Sequence, residues 1–171
     1  MKEGTAASGP GAEVFGGSLR EFLSTGAKRQ TMETFDVGCA IIHRNGKLLV
    51  AQRNLGDSFG GFWEFPGGKR EKDETIEQCL AREALEELEV RIQPERLLCK
   101  REHGTPERRI SLFFFFCKWV GGEPRAIDCK DFQWVSREDI GQRTFLPGDL
   151  EVLEDLILHW DEYFKTEGTG R

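Results

Sequence analysis

Residues 68–90, GKREKDETIEQCLAREALEELEV, carry Glu74, Arg82, Glu83, Glu86 and Glu87. On an α-helix each residue turns the chain by about 100°, so Glu83 meets Glu86 at an i,i+3 step and Glu87 at an i,i+4 step, all on one face. Like charges at that spacing repel, and Glu86 beside Glu87 adds to the repulsion. Arg82, four residues before Glu86, can offset part of it by gripping a carboxylate in a two-pronged hydrogen bond. A hard divalent cation offsets more: clustered oxygen donors with no thiolate or imidazole among them suit Mg²⁺ or Mn²⁺. The chemistry such a group supports is phosphate handling through a metal. Taken alone, the three glutamates are equally consistent with a solvated acidic helix face.

The preceding segment favours the metal. Trp63-Glu64-Phe65-Pro66-Gly67-Gly68 is an aromatic, strand-like run ending in Pro-Gly-Gly, which lets the backbone turn sharply and approach a ligand. A charged loop follows, and the helix is expected to start near Asp73 or Thr75, both good N-caps. Gly68, five residues, Glu74, seven residues, then Arg82-Glu83-Ala84-x-Glu86-Glu87 resembles the signature of the Nudix hydrolases, with every charged position matching. One position departs. Where that signature has a glycine near the helix end this chain has Glu89, so either Glu89 takes a left-handed conformation at a cost of about 1 kcal/mol or the helix runs on to Val90.

The chain has 171 residues, is 38% hydrophobic and 32% charged, and has a formal net charge of −6. These values fit one soluble domain with a proper core. Without a basic block there is no electrostatic footprint for long nucleic acid, so a polyphosphate must be held by metal and local arginines. Cysteines 39, 79, 99, 117 and 129 are odd in number and lack CxxC spacing, which reads as free, packed thiols in a reducing cytoplasm. The longest apolar block, Leu112 to Cys117, is far too short to cross a membrane. Residues 1–33, rich in Gly, Ala, Ser and Thr, are expected to be a disordered tail with neither signal nor transit character. Met32 is an alternative start, and residues 166–171 are expected to be a second tail.

Between the tails the expected order is strand, strand, helix, strand, strand, helix, with a further short strand before the last helix. Val37–Ile42 and Lys47–Gln52 are apolar runs joined through Asn45-Gly46, a strong hairpin signal. Ile92–His103 and Arg109–Val120 are strands flanking Gly104-Thr105-Pro106, and Phe132–Val135 is the short one. The run Phe113–Phe116 fits a strand buried on both faces. Val152, Leu153, Leu156, Ile157, Trp160 and Phe164 recur at helical spacing and predict a closing helix over 151–164.

The resemblance implies an α+β fold, an α/β/α sandwich with a mixed sheet between helices, over a domain of residues 34–165. GCAIIHRNGKLLVAQR, WEFPGGK, RRISLFFF, GGEP and FLPGD are most similar to the MutT branch, the nucleoside triphosphate pyrophosphohydrolases. By that resemblance Glu83, Glu86 and Glu87, helped by the Gly67 carbonyl, would bind Mg²⁺ or Mn²⁺, Arg82 would hold the carboxylates, and Glu74 would brace the group from its loop. The base is either a glutamate of the helix or an acid of a later loop, where Asp128 and Asp131 are candidate bases or metal ligands and otherwise plain turn aspartates. Arg53 and Arg108 match arginines that contact substrate, although each is otherwise an ordinary exposed arginine. Phe65 is either a flank for the base or a core aromatic. His103 is read as a surface residue at a strand end.

Asp149 falls where the branch places a base-reading asparagine. Ionised, it only accepts hydrogen bonds, which suits the exocyclic amine of cytosine and opposes the O6 of 8-oxoguanine unless the acid is protonated. The alternative for Asp149 is an N-cap of the last helix. The implied activity is Mg²⁺-dependent conversion of a (d)NTP to a monophosphate and diphosphate, clearing oxidised or modified dNTPs of the 8-oxo-dGTP type. CTP or modified dCTP is the alternative substrate, and an RNA 5′-pyrophosphohydrolase a rival that net acidity disfavours. ADP-ribose hydrolysis fits the segments less well. A non-catalytic ligand-sensing domain of the family would be expected to lack the acids. The protein is expected to be cytoplasmic and a monomer or homodimer, without membrane or long nucleic-acid partners.

Overall fold

The computed structural model describes residues 33–104 and 108–164, so the expectations for the two tails lie outside the described residues except at Glu33. Glu33 is already paired, because the first strand starts there rather than at Val37: β1 spans Glu33–Arg44. β2 follows at Lys47–Gln52, joined through Asn45 and Gly46, both at positive φ (52° and 70°), the backbone that two-residue hairpins require. β3 (Trp63–Glu64) and β4 (Gly67–Lys69) are short; then come helix α1 (Ile76–Leu88), β5 (Arg91–Gly104), β6 (Arg108–Gly121), β7 (Asp131–Val135), and helices α2 (Arg137–Ile140), α3 (Leu150–Leu158) and α4 (Trp160–Tyr163).

Among the described residues the strands form one seven-stranded mixed sheet. Its main path is β3-β2-β1-β6-β5, with β4 added to β1 and β7 to β2. The central β1–β6 pair is parallel, from Glu33↔Arg108 to His43↔Lys118, and every other ladder is antiparallel. Because side chains alternate along a strand, the two central strands feed two cores. Cys39, Ile41, Leu48, Val50, Phe114 and Phe116 face α3 and α4, while Ala40, Ile42, Leu49, Phe115 and Cys117 face α1. The aromatic run of β6 is therefore buried on both sides, as its composition implies.

α1 begins at Thr75, whose hydroxyl accepts from the Gln78 N–H while the Gln78 side chain accepts from the Thr75 N–H, a reciprocal capping box. Asp73 instead occupies the preceding turn at φ 71°. The helix stops at Leu88 with Glu89 left-handed (φ 56°, ψ 23°), so the backbone takes the conformation that a glycine would favour. The closing helix is corrected: it is broken at His159, whose φ of −107° leaves the helical region, giving α3 and α4 instead of one rod. Its apolar face nevertheless holds, with Val152, Leu153, Leu156, Trp160 and Phe164 all buried.

Candidate active site

The site is built where β4 crosses in front of α1. Gly68 lies so close to the helix that a Cβ there would stand 2.4 Å from a Glu83 carboxylate oxygen, and only glycine admits that approach. Arg82 organises the acids. Its Nη2 donates to Glu74 Oε1 at 2.7 Å and its Nε to Glu74 Oε2 at 3.2 Å, while Nη1 donates to Glu83 at 2.7 Å and Glu86 at 3.0 Å. Arg82 Nη2 also reaches the Lys69 carbonyl at 3.2 Å, tying the helix to β4. The Arg82 bonds, helped by the Glu71 N–H, hold the Glu74 carboxyl down at about 2. One arginine thus brings together the three acids Glu74, Glu83 and Glu86.

Glu87 points elsewhere. It accepts from the Gly67 N–H at 3.2 Å, and among the described residues no arginine or lysine pairs with it. Burial first, then the charges of Glu64 and Glu83, raise its carboxyl to about 8. Glu83 is raised too, chiefly by burial, against the pull of Arg82. The pocket side of the helix therefore gathers more carboxyl groups than arginine pairs with, and their raised proton affinity marks a place where a cation would stabilise the ionised forms. That donor set fits a divalent cation. Among the described residues no three acidic, histidine or cysteine side chains already converge as a closed metal cage.

The later loop meets the same helix end. Arg125 N–H donates to Leu88 O at 3.0 Å, and the Ile127 and Asp128 N–H groups donate to Glu87 O at 3.0 and 3.3 Å, satisfying carbonyls that a helix C-terminus leaves open. Asp128 is exposed but lies near enough to add to the rise of Glu87. Asp131 accepts from the Phe132 N–H at 2.8 Å. The Arg108 guanidinium lies 4.8 Å from the Phe35 ring centroid, the ring that Lys69 also covers at 3.7 Å.

Beside the acids opens a cavity of about 420 Å³, lined by Arg53, Glu64, Phe65, Leu112 and Asp149 among others. Trp63 N–H donates to Thr144 O at 2.8 Å and Leu146 N–H to Trp63 O at 2.9 Å, which clasps β3 against the start of the α3 segment. The clasp sets Asp149 against Phe65, whose N–H donates to Asp149 Oδ2 at 3.3 Å. Asp149 is therefore not a side-chain cap of α3: its backbone is helical (φ −95°, ψ −17°) and its carboxylate makes no capping bond. Only 3% of it is exposed. Burial raises its carboxyl to about 7, with the Phe65 N–H opposing. Phe65 serves as wall and core at once, packing edge-on to Phe114 with centroids 6.0 Å apart. His103, expected at the surface, is exposed and also borders this cavity.

Sequence reasoning missed Glu64. Its carboxylate receives Arg53 Nη1 at 3.1 and 2.9 Å, lines the cavity, and is the charge that acts most strongly on Glu87. Burial raises it, with Arg53 opposing. The available signal was its place between two aromatics in WEFPGG, since an acid at the end of an apolar strand run needs a partner.

A mixed sheet between helices, carrying an arginine-braced row of glutamates against a Gly-Gly turn, defines a hydrolase of phosphoanhydride bonds. The NUDIX domain profile matches residues 32–156, and the chain belongs to the Nudix family. It is 34% identical over 123 residues to the CTP pyrophosphohydrolase of Escherichia coli strain K12, covering 72% of this chain and 91% of that relative. It is 30% identical over 126 residues to the 8-oxo-dGTP diphosphatase of the same strain, covering 73% and 98%. The solution structure of the E. coli ORF135 protein superposes with a TM-score of 0.66 at 30% identity, over 81% of this chain and 96% of that one. A MutT protein from Methanosarcina mazei Go1, with a TM-score of 0.64 at 23% identity over 80% and 99%, shares the fold.

Proposed function

We propose that the chain hydrolyses nucleoside triphosphates to the monophosphate and diphosphate, with Mg²⁺ or Mn²⁺ held by Glu83, Glu86, Glu87 and the Gly67 carbonyl, and that it acts on oxidised or otherwise modified dNTPs. The observation that carries this reading is the adjacency of two sites: the acid row of α1 for the phosphates and a 420 Å³ cavity ending at Asp149 for the base. Such a cation, when bound, neutralises phosphate charge and lowers the pKa of a coordinated water. The protein's own groups do the rest. Arg82 fixes Glu74, Glu83 and Glu86, so that these carboxylates need little reorganisation when substrate arrives. Arg53, oriented by Glu64, lines the cavity and faces the phosphate end of a nucleotide seated there. Asp128, beside Glu87, is the candidate base or ligand of the later loop, with Asp131 the other acid of that loop and Arg108 a candidate substrate contact.

Asp149 supports a second substrate reading. With a carboxyl near 7, its neutral form can donate to the O6 of 8-oxoguanine and its ionised form can accept from the N4 amine of cytosine. The relatives named for 8-oxo-dGTP and for CTP fall on the two sides of that choice. Function in the cytoplasm, as a monomer or homodimer without a long nucleic-acid partner, completes the reading; among the described residues no helix is long and apolar enough to cross a membrane. The test is a panel of NTPs, 8-oxo-dGTP, modified dCTPs, 5′-triphosphorylated RNA and ADP-ribose, with Mg²⁺ and diphosphate readout. Diphosphate release from a nucleoside triphosphate is expected. Cleavage of ADP-ribose alone, or release of orthophosphate in place of diphosphate, would overturn the proposal.

A further inference from the structure

The loop between β2 and β3, residues 53–62, is tightly built. Arg53 N–H donates to Phe62 O at 2.9 Å and Gly61 N–H to Arg53 O at 3.1 Å, closing its base, and Arg53 Nε donates to Ser58 O at 2.8 Å across its middle. Gly60 N–H to Asp57 O (3.0 Å) and Phe62 N–H to Phe59 O (3.1 Å) make two successive turns at its tip. Two tip positions need glycine: a Cβ at Gly60 would stand 2.5 Å from the Leu55 carbonyl oxygen, and Gly61 has φ +85°. Phe59 has φ +58°, equally unfavourable for a bulky L-residue, yet the chain places an aromatic there.

That aromatic does not serve the core. Phe59 is 56% exposed, and among the described residues its one aromatic neighbour is Phe62, edge-on at 5.6 Å between centroids. It lines the same cavity as Phe65 and Asp149, on the loop that also carries Arg53. A strained, solvent-facing ring at the mouth of a cavity whose walls are largely apolar is explained by a flat aromatic ligand.

We propose that Phe59 is the stacking cover of the base cavity, a specificity-determining residue that packs on the nucleobase while the same loop presents Arg53 to the phosphates. The proposal rests on the nucleoside triphosphate reading above. It also implies that binding, rather than the chemical step, takes most of the benefit, because the ring touches the base and not the reacting phosphorus.

The test compares Phe59→Gly and Phe59→Trp with the unaltered protein, using whichever nucleoside triphosphate of the panel is cleaved best and, as a base-free probe, inorganic tripolyphosphate as a competitive inhibitor. Phe59→Gly relieves the left-handed backbone, so Tm should hold or rise. Loss of one base–aromatic stack should raise KM about tenfold or more, with kcat little changed. The Ki for tripolyphosphate should not move, and Phe59→Trp should keep KM at or below the original value. An unchanged KM in the glycine variant would overturn the proposal, as would an equal loss of tripolyphosphate affinity, which would assign the loop to the phosphates. A fall in Tm with KM constant would make Phe59 a structural residue. If the unaltered protein cleaves no nucleoside triphosphate, the functional reading itself fails and this proposal with it; if it does and only the Phe59 effects are missing, this proposal alone falls.

Discussion

Asp149→Asn removes one buried charge and almost no volume, and the structure says where on the pH scale that matters. The carboxyl rises from the ordinary 3.8 to about 7 because burial penalises its ionised form. A raised carboxyl in the folded protein binds its proton more tightly than in the unfolded chain. Stability from this group is therefore fully present below pH 3.8 and drains away as pH climbs to about 7, after which no more is lost. At ~1.36 kcal/mol per tenfold change in affinity, that interval amounts to at most about 4 kcal/mol. Asparagine stays neutral throughout and can still accept the Phe65 N–H through its amide oxygen. Urea melts of both proteins between pH 4 and 8.5 should give nearly equal stabilities at the acid end and a growing advantage for the variant up to neutrality; titrations of groups that do not feel the Asp149 charge cancel in the difference, leaving Asp149 and its coupling to Glu64 and Cys39. A difference that does not change with pH would refute the reasoning. The same variant tests recognition. Above pH 7, kcat/KM on cytosine substrates relative to 8-oxo-dGTP should fall by about tenfold or more, since one hydrogen bond to a charged group is worth roughly 1.5–3 kcal/mol.

Glu83→Gln and Glu87→Gln should each cut kcat by at least about a hundredfold, roughly 3 kcal/mol of lost charge stabilisation, with the fold retained and, since burial opposes the Glu87 charge, the metal-free melting temperature of Glu87→Gln not lowered near pH 8; near-normal turnover at saturating Mg²⁺ would remove the metal site. Arg82→Lys keeps the charge but cannot hold Glu74 by two bonds while reaching Glu83 and Glu86, so steady-state assays should show a clear loss in kcat, with the apparent Mg²⁺ requirement rising. Glu64→Gln should weaken the grip on Arg53 and appear mainly as a higher KM for nucleoside triphosphates, measurable beside an unchanged fold by circular dichroism. Glu89→Gly should stabilise the protein by about 1 kcal/mol in denaturant melts, because φ 56° costs glycine nothing and Glu89 gives up only an exposed pair with Arg125.

Local rules in the sequence carried a long way. Asn45-Gly46 announces the first hairpin, Thr75 and Gln78 announce the helix start, and the spacing from Gly68 to Glu87 places the acids and their arginine on one face. What escaped is set by parts of the chain that meet only in three dimensions. Asp149 reads either as a base-pocket residue or as a cap of the apolar helix it precedes, and the cap is ruled out only by the clasp of Trp63 with Thr144 and Leu146, which sets its carboxylate on the Phe65 N–H. Glu64 is invisible as a site residue until β2 and β3 pair and bring Arg53 to it. The break at His159 leaves no trace in the apolar spacing, since Leu156, Trp160 and Phe164 stay on the buried side across it.

The parallel ladder at the centre of the sheet also governs the order in which this molecule can assemble. β1 is bonded to β6 by residues about 75 positions further along, with α1, β4 and β5 all lying between them. Closing a loop of that length precedes any reward from the pairing, so the ladder is expected to form after the local hairpin and helix. While the chain is being made, the β1–β2 hairpin and α1 can form locally, but Val37 and Cys39 wait beside an empty sheet position. The cavity proposed for the base is lined by Ile110 and Leu112 of β6 and by residues 146–149 just before α3. A nascent chain that already carries every acid of the α1 row thus lacks this cavity, and on the proposed function selection among nucleotides would begin only when the last third of the protein has docked.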